Sequence, residues 1–172
     1  NKNCFVIVSG LARSGTTSLT KSLYRTEAFS SLDYSNMPFL LAPNMWKKIY
    51  SPKKSELRER SHEDGILMGL DTIEALEEYF FKVIKKDNFI DEKFLQTHKI
   101  SKSNYELYMK YQKIVRKNNS KIYLAKNNNF ILRYKSMINY NQSFKMIVLY
   151  RHPLYNAASL LNQHFKAIQL QK

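Results

Sequence analysis

The sequence predicts an α/β domain: a P-loop-like, three-layer arrangement in which helices flank a central, mostly parallel sheet. Three short apolar runs, at residues 5–8, 121–125 and 144–150, are typical of strands that are buried on both faces. Stretches with helical spacing separate and follow these runs, and strands that alternate with helices indicate a parallel sheet. A glycine-containing loop follows the first strand directly, which is where phosphate-binding folds hold their anion.

The first strand leads into the stretch GLARSGTTS, which has almost the form of a nucleotide-triphosphate loop, G-x-x-x-x-G-K-[ST]. Gly10 and Gly15 have the required spacing, and Thr17 fills the last position. Thr16 replaces the lysine, and Arg13 lies inside the loop instead. The loop therefore indicates a phosphate compound other than a simple triphosphate.

A helix is predicted over residues 16–24, because Leu19 and Leu23 lie one helical turn apart. The glycine loop thus connects a strand to the N-terminus of a helix. Free backbone N–H groups and the positive end of the helix dipole converge at such a point, which favours the binding of an anion.

The middle of the chain is less regular. Three prolines and several aromatic residues in residues 30–60 indicate a long functional loop with short helices. Residues 65–70 are predicted to form a strand or hairpin arm, and helices are predicted over residues 71–86 and 103–117. The tyrosines and methionine of the second helix, at helical spacing, are interpreted as core.

The last third of the chain repeats the succession of strand and helix that is predicted in the first third. The strand at 121–125 precedes a short helix over residues 129–137, and the strand at 144–150 precedes a helix over residues 154–169. Ligands of parallel sheets collect at the carboxyl ends of the strands. The glycine loop, Lys126 and Arg151 all follow strands directly, so we expect them to meet in one crevice.

Composition and charge limit the class of protein. The 172 residues suit one domain, and no apolar run approaches the ~20 residues that a membrane span needs. One cysteine allows no internal disulfide, so we expect a reducing, cytoplasmic location. The net charge of +14, from 28 Lys and Arg against 14 Asp and Glu, predicts an anionic partner or surface.

Two strings, FVIVSGLARSGTTSL and FKMIVLYRHPLYNAASL, resemble the sulfotransferases that use 3′-phosphoadenosine 5′-phosphosulfate (PAPS). Arg151 at the end of a strand and Ser159 eight residues later have the spacing of that family's second motif. Lys126, in YLAKNNNF, fits the strand-end lysine that the family carries between its two motifs. The strings ERSHEDGI, YLAKNNN and DYSNMPFLLAP look most like a bacterial branch of the superfamily.

The resemblance implies how PAPS, a highly anionic donor, and its product adenosine 3′,5′-bisphosphate are held. Arg151 and Ser159 are expected to bind the 3′-phosphate, and Arg13 to stabilise charge on the leaving phosphate. No metal is expected, because a phosphosulfate carries less charge than a triphosphate, and its loop needs no lysine at position 16. The remaining donor-binding residues are expected to be Ser14, Gly15, Thr16, Thr17 and Ser18.

The general base that takes the proton of the acceptor is the least defined part of the site. Some family members carry a histidine where this chain has Asn128, which cannot accept a proton. His62, which titrates near neutrality, is ranked first as base, followed by Asp64 and then Asp33. Lys126 is a further catalytic candidate, although it could instead pair with a nearby acid.

The family's members are generally longer, so we interpret residues 1–172 as a single sulfotransferase-like domain that lacks a C-terminal segment. The expected acceptor is a hydroxyl or amine of a carbohydrate, a lipid-linked sugar or a small molecule. Two other classes stay open. A nucleotide kinase would want Lys at position 16 and an acidic strand end for Mg²⁺. A basic nucleic-acid-binding domain would want a clustered basic stripe with exposed aromatics, so nucleic acid is not an expected partner.

Overall fold

The computed structural model describes residues 3–50, 58–59, 67–86, 89–90, 93–116 and 120–170. In chain order, the first half contains strand β1 (Phe5–Gly10), helix α1 (Thr16–Arg25), strand β2 (Phe29–Ser30), a 3₁₀ turn (Tyr34–Asn36), helix α2 (Pro43–Ile49), and strands β3 (Arg58–Glu59) and β4 (Leu67–Met68). The second half contains helices α3 (Glu78–Lys85) and α4 (Lys102–Arg116), strand β5 (Ile122–Lys126), a 3₁₀ segment (Asn128–Arg133), helix α5 (Tyr134–Tyr140), strand β6 (Lys145–Leu149) and helix α6 (Pro153–Leu170).

Four strands form one parallel sheet in the order β2-β5-β1-β6, and β3 pairs with β4 in a separate antiparallel hairpin. β1 lies between β5 and β6, with Val8 opposite Lys126 and Gly10 opposite Leu149. The carboxyl ends of three strands therefore lie side by side. The predicted α/β class with a mostly parallel sheet is confirmed.

The alternation of side chains along β1 divides the core between the two faces of the sheet. Phe5 and Ile7 pack into the larger cluster with residues of α3, α4 and α5, and Val6 and Val8 pack into the smaller one with Leu19 of α1. All four strand residues are less than 9% exposed, which explains the continuous apolar run in the sequence. Helices on both faces give the three layers.

Several predicted elements differ from the observed ones in extent. The helix predicted over residues 71–86 begins only at Glu78, because the segment before it forms turns in which Gly69 N–H donates to Thr72 Oγ1. The helix predicted over 129–137 is a 3₁₀ segment followed by α5. The two-residue strand β2 was not predicted, because it is too short to show a period.

The tyrosine and methionine stripe of α4 is core, as predicted. Tyr108, Met109 and Val115 are buried, and the first two pack in the larger cluster with Phe5. The outer side of α6 is different. An apolar stripe at helical spacing lies exposed there, with each member more than 40% accessible. The α6 apolar stripe comprises Leu154, Leu161, Phe165 and Ile168.

No helix among the described residues is long and apolar enough to cross a membrane.

Two buried carboxylates fix the segment that follows β5. Glu77 accepts hydrogen bonds from Tyr108 Oη and from Asn127 Nδ2, the second at 2.8 Å. Glu78 pairs with both terminal nitrogens of Arg133, at 2.9 and 2.7 Å, and the Arg133 guanidinium also stacks over the ring of Phe81. A bidentate pair of this kind holds its partners in one geometry, so the end of β5 is tied to the start of α3.

Burial raises the pKa of the Glu77 carboxyl above its ordinary value of 4.5, against the hydrogen bonds that lower it. Between about pH 4.5 and the raised pKa, Glu77 therefore keeps a proton in the folded state that it has already lost in the unfolded state. We expect the free energy of unfolding of the wild type to fall, relative to that of Glu77→Gln, as the pH rises from about 4.5 through the raised pKa. Urea unfolding of both proteins at several pH values between 4 and 8 measures this difference, and a constant difference contradicts the assignment.

Candidate functional site

The loop between β1 and α1 is shaped by two glycines. A Cβ on Gly10 would lie 2.6 Å from the carbonyl oxygen of Leu149 and 2.7 Å from Ser14 Oγ, so no larger residue fits there. Gly15 precedes α1 with a φ of +93°, a left-handed conformation that glycine adopts without strain. The spacing of the two glycines in the sequence thus reflects a close approach to β6 and a turn into the helix.

The loop ends at the N-terminus of α1, where Thr16 and Thr17 are buried in the first turn. Gly15 has no side chain with which to cap the helix. The first N–H groups of a helix lack partners within the helix, and the helix dipole is positive at this end. The loop therefore connects a strand to a helix N-terminus as the sequence predicted, which is an arrangement that favours anions.

A cleft of about 460 Å³ opens over this loop. Its lining brings together the three regions that the sequence placed at strand ends, together with one residue of α6. The lining residues are Ala12, Arg13, Ser14, Gly15, Thr16, Thr17, Ser18, Lys126, Asn128, Arg151 and Gln163. Three cationic side chains from separate segments therefore line one cleft at the carboxyl ends of the strands.

Residues of the last helix and its preceding turn hold the loop in place. Arg151 Nη1 donates to the carbonyl oxygen of Arg13 at 3.0 Å, and Asn156 Nδ2 donates to that of Ala12 at 2.9 Å. Arg13 Nε donates to Ser159 Oγ at 3.1 Å. Arg13, Arg151 and Ser159 are thus brought together, and Ser159 contacts a loop residue directly. Asn156, which is buried, was not predicted as part of this region.

Lys126 lies beside the loop and pairs with an acid. Its Nζ donates to Thr17 Oγ1 at 2.8 Å and forms an ion pair with Glu74. Thr17 Oγ1 donates in turn to Glu74 Oε1 at 3.2 Å. The side chains of Lys126 and Glu74 are only 9% and 12% exposed, so this is a largely desolvated triad of hydroxyl, ammonium and carboxylate.

Glu74 is a second residue of this region that sequence reasoning missed. It lies in DTIEALEE, which was predicted to belong to a helix over residues 71–86, but the helix begins only at Glu78. The open alternative that Lys126 pairs with an acid was the signal that could have found it. A carboxylate 52 residues from its partner gives no local pattern.

Of the acid and base candidates from the sequence, the structure describes only Asp33, which is not in the cleft lining. Asp33 lies in a different cleft, because its carboxylate caps the 3₁₀ turn at Tyr34–Asn36 and accepts from Ser35 Oγ. His62 and Asp64 lie outside the described residues. Asn128, which the resemblance aligns with a histidine of some sulfotransferases, does line the cleft, and its buried Oδ1 has no hydrogen-bond partner among the described residues.

Among the described residues, no group of three or more His, Cys, Asp or Glu side chains is arranged to hold a metal ion. Comparisons of the chain with protein-family models, with curated proteins and with solved structures gave no match.

The close approach at Gly10 gives a test of the loop geometry. In Gly10→Ala the new methyl group meets the backbone of β6, which cannot move aside, so we expect the free energy of unfolding to fall by about 1–3 kcal/mol. Leu11→Ala, one residue away and 65% exposed in the parent side chain, should change it by less than about 0.5 kcal/mol. Urea unfolding measures both, and equal effects would refute the packing described.

Proposed function

We propose that this protein transfers a sulfuryl group from PAPS to a hydroxyl or amine of an acceptor. The observation that carries the proposal is the loop cleft itself. The N-terminus of α1, with Thr16 where a triphosphate loop has lysine, lines this cleft together with one cation from the loop and two from the ends of parallel strands. Its volume of about 460 Å³ falls in the range of about 300–1,000 Å³ that is usual for small-molecule sites.

In this proposal the loop and the residues that follow the last strand bind opposite ends of the donor. The N–H groups at the start of α1 and the Thr17 hydroxyl face the phosphosulfate, and Arg151 with Ser159 binds the 3′-phosphate, as in the family that the two motifs resemble. Arg13 Nε donates to Ser159 Oγ at 3.1 Å, and in the proposal its guanidinium lies between the two anionic groups.

Lys126 and Glu74 then act together. A sulfonate oxygen placed at Thr17 competes with Glu74 for the Lys126 ammonium, because all three groups lie within hydrogen-bond reach of one another. Glu74 is thereby released to accept the acceptor's proton as general base. Asn128 Oδ1, buried and without a hydrogen-bond partner among the described residues, accepts a hydrogen bond from a second N–H or O–H group of the acceptor and orients it.

The bond changes balance as an in-line displacement. The acceptor's oxygen or nitrogen forms a bond to sulfur while the bond from sulfur to the bridging oxygen of the donor breaks. The electron pair of the broken bond leaves with adenosine 3′,5′-bisphosphate, and Arg13 stabilises its developing charge. The proton of the acceptor moves to Glu74.

A nucleotide kinase is the second candidate, favoured by the contact of an acid with Thr17. Kinases with such loops hold Mg²⁺ through the loop hydroxyl and an acid at a strand end. Here the Lys126 ammonium lies against that same carboxylate, where the metal would bind. A basic nucleic-acid-binding domain, suggested by the net charge of +14, is the third candidate.

Calorimetric titration with adenosine 3′,5′-bisphosphate tests the donor site. We expect micromolar binding by the wild type, about −8 kcal/mol, without metal. Arg151→Ala removes a charge-assisted contact and should weaken binding by about 2–5 kcal/mol. Arg25→Ala, at the opposite end of α1 and exposed, serves as the matched control and should bind as the wild type does.

Three outcomes contradict the proposal. Binding of ATP with Mg²⁺ in place of the bisphosphate favours the kinase. Binding of nucleic acid that falls steeply with salt, with no response to either nucleotide, favours the nucleic-acid domain. Equal weakening by Arg25→Ala and Arg151→Ala indicates a general charge effect rather than a site.

The exchange of Lys126 between Glu74 and a bound anion makes a second prediction. Glu74→Gln frees the ammonium, so PAPS, which carries the sulfonate and is titrated without acceptor, should bind five- to thirtyfold more tightly, a gain of about 1–2 kcal/mol. Lys126→Met should weaken binding. Calorimetry on both variants measures these changes, and weaker binding by Glu74→Gln would show that the carboxylate serves only to fix Lys126 in place.

A further inference from the structure

A second cleft, of about 240 Å³, lies beside the edge strand β2, and it shares no lining residue with the loop cleft. Tyr24, on its wall, lies eight residues beyond Thr16 along α1, which corresponds to about 12 Å. The second cleft is therefore a separate place in the fold. Its lining residues are Tyr24, Phe29, Ser30, Ser31, Asp33, Asn36, Pro43, Asn44, Lys47, Val115, Arg116 and Lys121.

The lining of the second cleft carries an excess of positive charge. Arg116, Lys47 and Lys121 contribute three cations, and Asp33 contributes the one acid. The Asp33 carboxylate is already engaged by Ser35 Oγ and by the backbone of the 3₁₀ turn. Within the part of the chain that the structure describes, none of the three cations forms an ion pair.

Two buried donors in this lining have no hydrogen-bond partner among the described residues. They are Arg116 Nε and Asn36 Nδ2, in side chains that are 5% and 1% exposed. An unsatisfied buried donor is costly, and a buried cation without a counter-charge is more so. An anion with acceptor oxygens in the cleft would remove both costs, because it would accept from the two donors and neutralise the cation.

We propose that the second cleft is an oxyanion-binding site, which takes a carboxylate, phosphate or sulfate group, free or carried on a small polar ligand. Arg116 and Asn36 donate to its oxygens from the buried end, and Lys47 and Lys121, both half-buried, supply charge from the rim. Because a water molecule occupies about 30 Å³, the volume suits such an anion with a small substituent. The proposal stands independently of the sulfotransferase assignment.

Calorimetric titrations of the full chain at constant ionic strength test this site, with sodium phosphate, sodium sulfate and sodium glucuronate as three separate probes. Lys47→Gln/Lys121→Gln should weaken binding of the preferred probe by about tenfold, and Arg116→Gln by more. Lys102→Gln, an exposed lysine at the other end of α4, is the charge control and should change nothing. The preferred probe distinguishes a free tetrahedral anion from a sugar carboxylate.

Because the loop cleft is also proposed to bind anions, Arg151→Gln is titrated in parallel and should leave the binding at the second cleft intact. Arg116 also lies in the last turn of α4, where a cation stabilises the helix. If Arg116→Gln lowers the melting temperature while the lysine double variant binds as the wild type does, the residue has only that role and the proposal is overturned. No binding of any probe, or binding lost only in Arg151→Gln, overturns it as well.

Discussion

Three carboxylates on one short segment hold the end of β5, and the loop cleft depends on them. Each reaches a different residue of the chain that leaves the central sheet, and each contact is largely buried. The segment before α3 does not form a regular helical turn. The three contacts fix the side chains of a lysine, an asparagine and an arginine at and after the end of β5. Loss of one contact leaves a buried charge or donor without its partner, which costs more than the contact alone contributes. The pairs are Glu74 with Lys126, Glu77 with Asn127, and Glu78 with Arg133.

The loop itself is positioned by residues more than 130 positions away in the chain. Arg151 and Asn156 donate to the carbonyl oxygens of two successive loop residues, so both oxygens have hydrogen-bond donors. Two side chains that follow the last strand thus supply the donors for the carbonyl side of the loop.

The extent to which the sequence predicted this structure follows from the range of each interaction. Strands buried on both faces, the glycine loop and the convergence of Lys126 with Arg151 were predictable, because apolar runs and parallel strand ends are local or topological signals. Glu74 was not, because its partner is remote in sequence and its own segment has helical composition without being helical. The capping role of Asp33 was equally unpredictable, since it depends on a 3₁₀ turn within a long loop.

The α6 apolar stripe has a consequence for colloidal behaviour. The net charge of +14 makes two molecules repel one another, which opposes contact between their exposed stripes. Salt shortens the range of that repulsion from about 10 Å at 0.1 M to about 3 Å at 1 M, while the attraction between apolar surfaces persists. Concentrated solutions of this protein should therefore stay clear in dilute buffer and cloud in molar salt, and high-salt precipitants should give crystals whose first contacts form along α6.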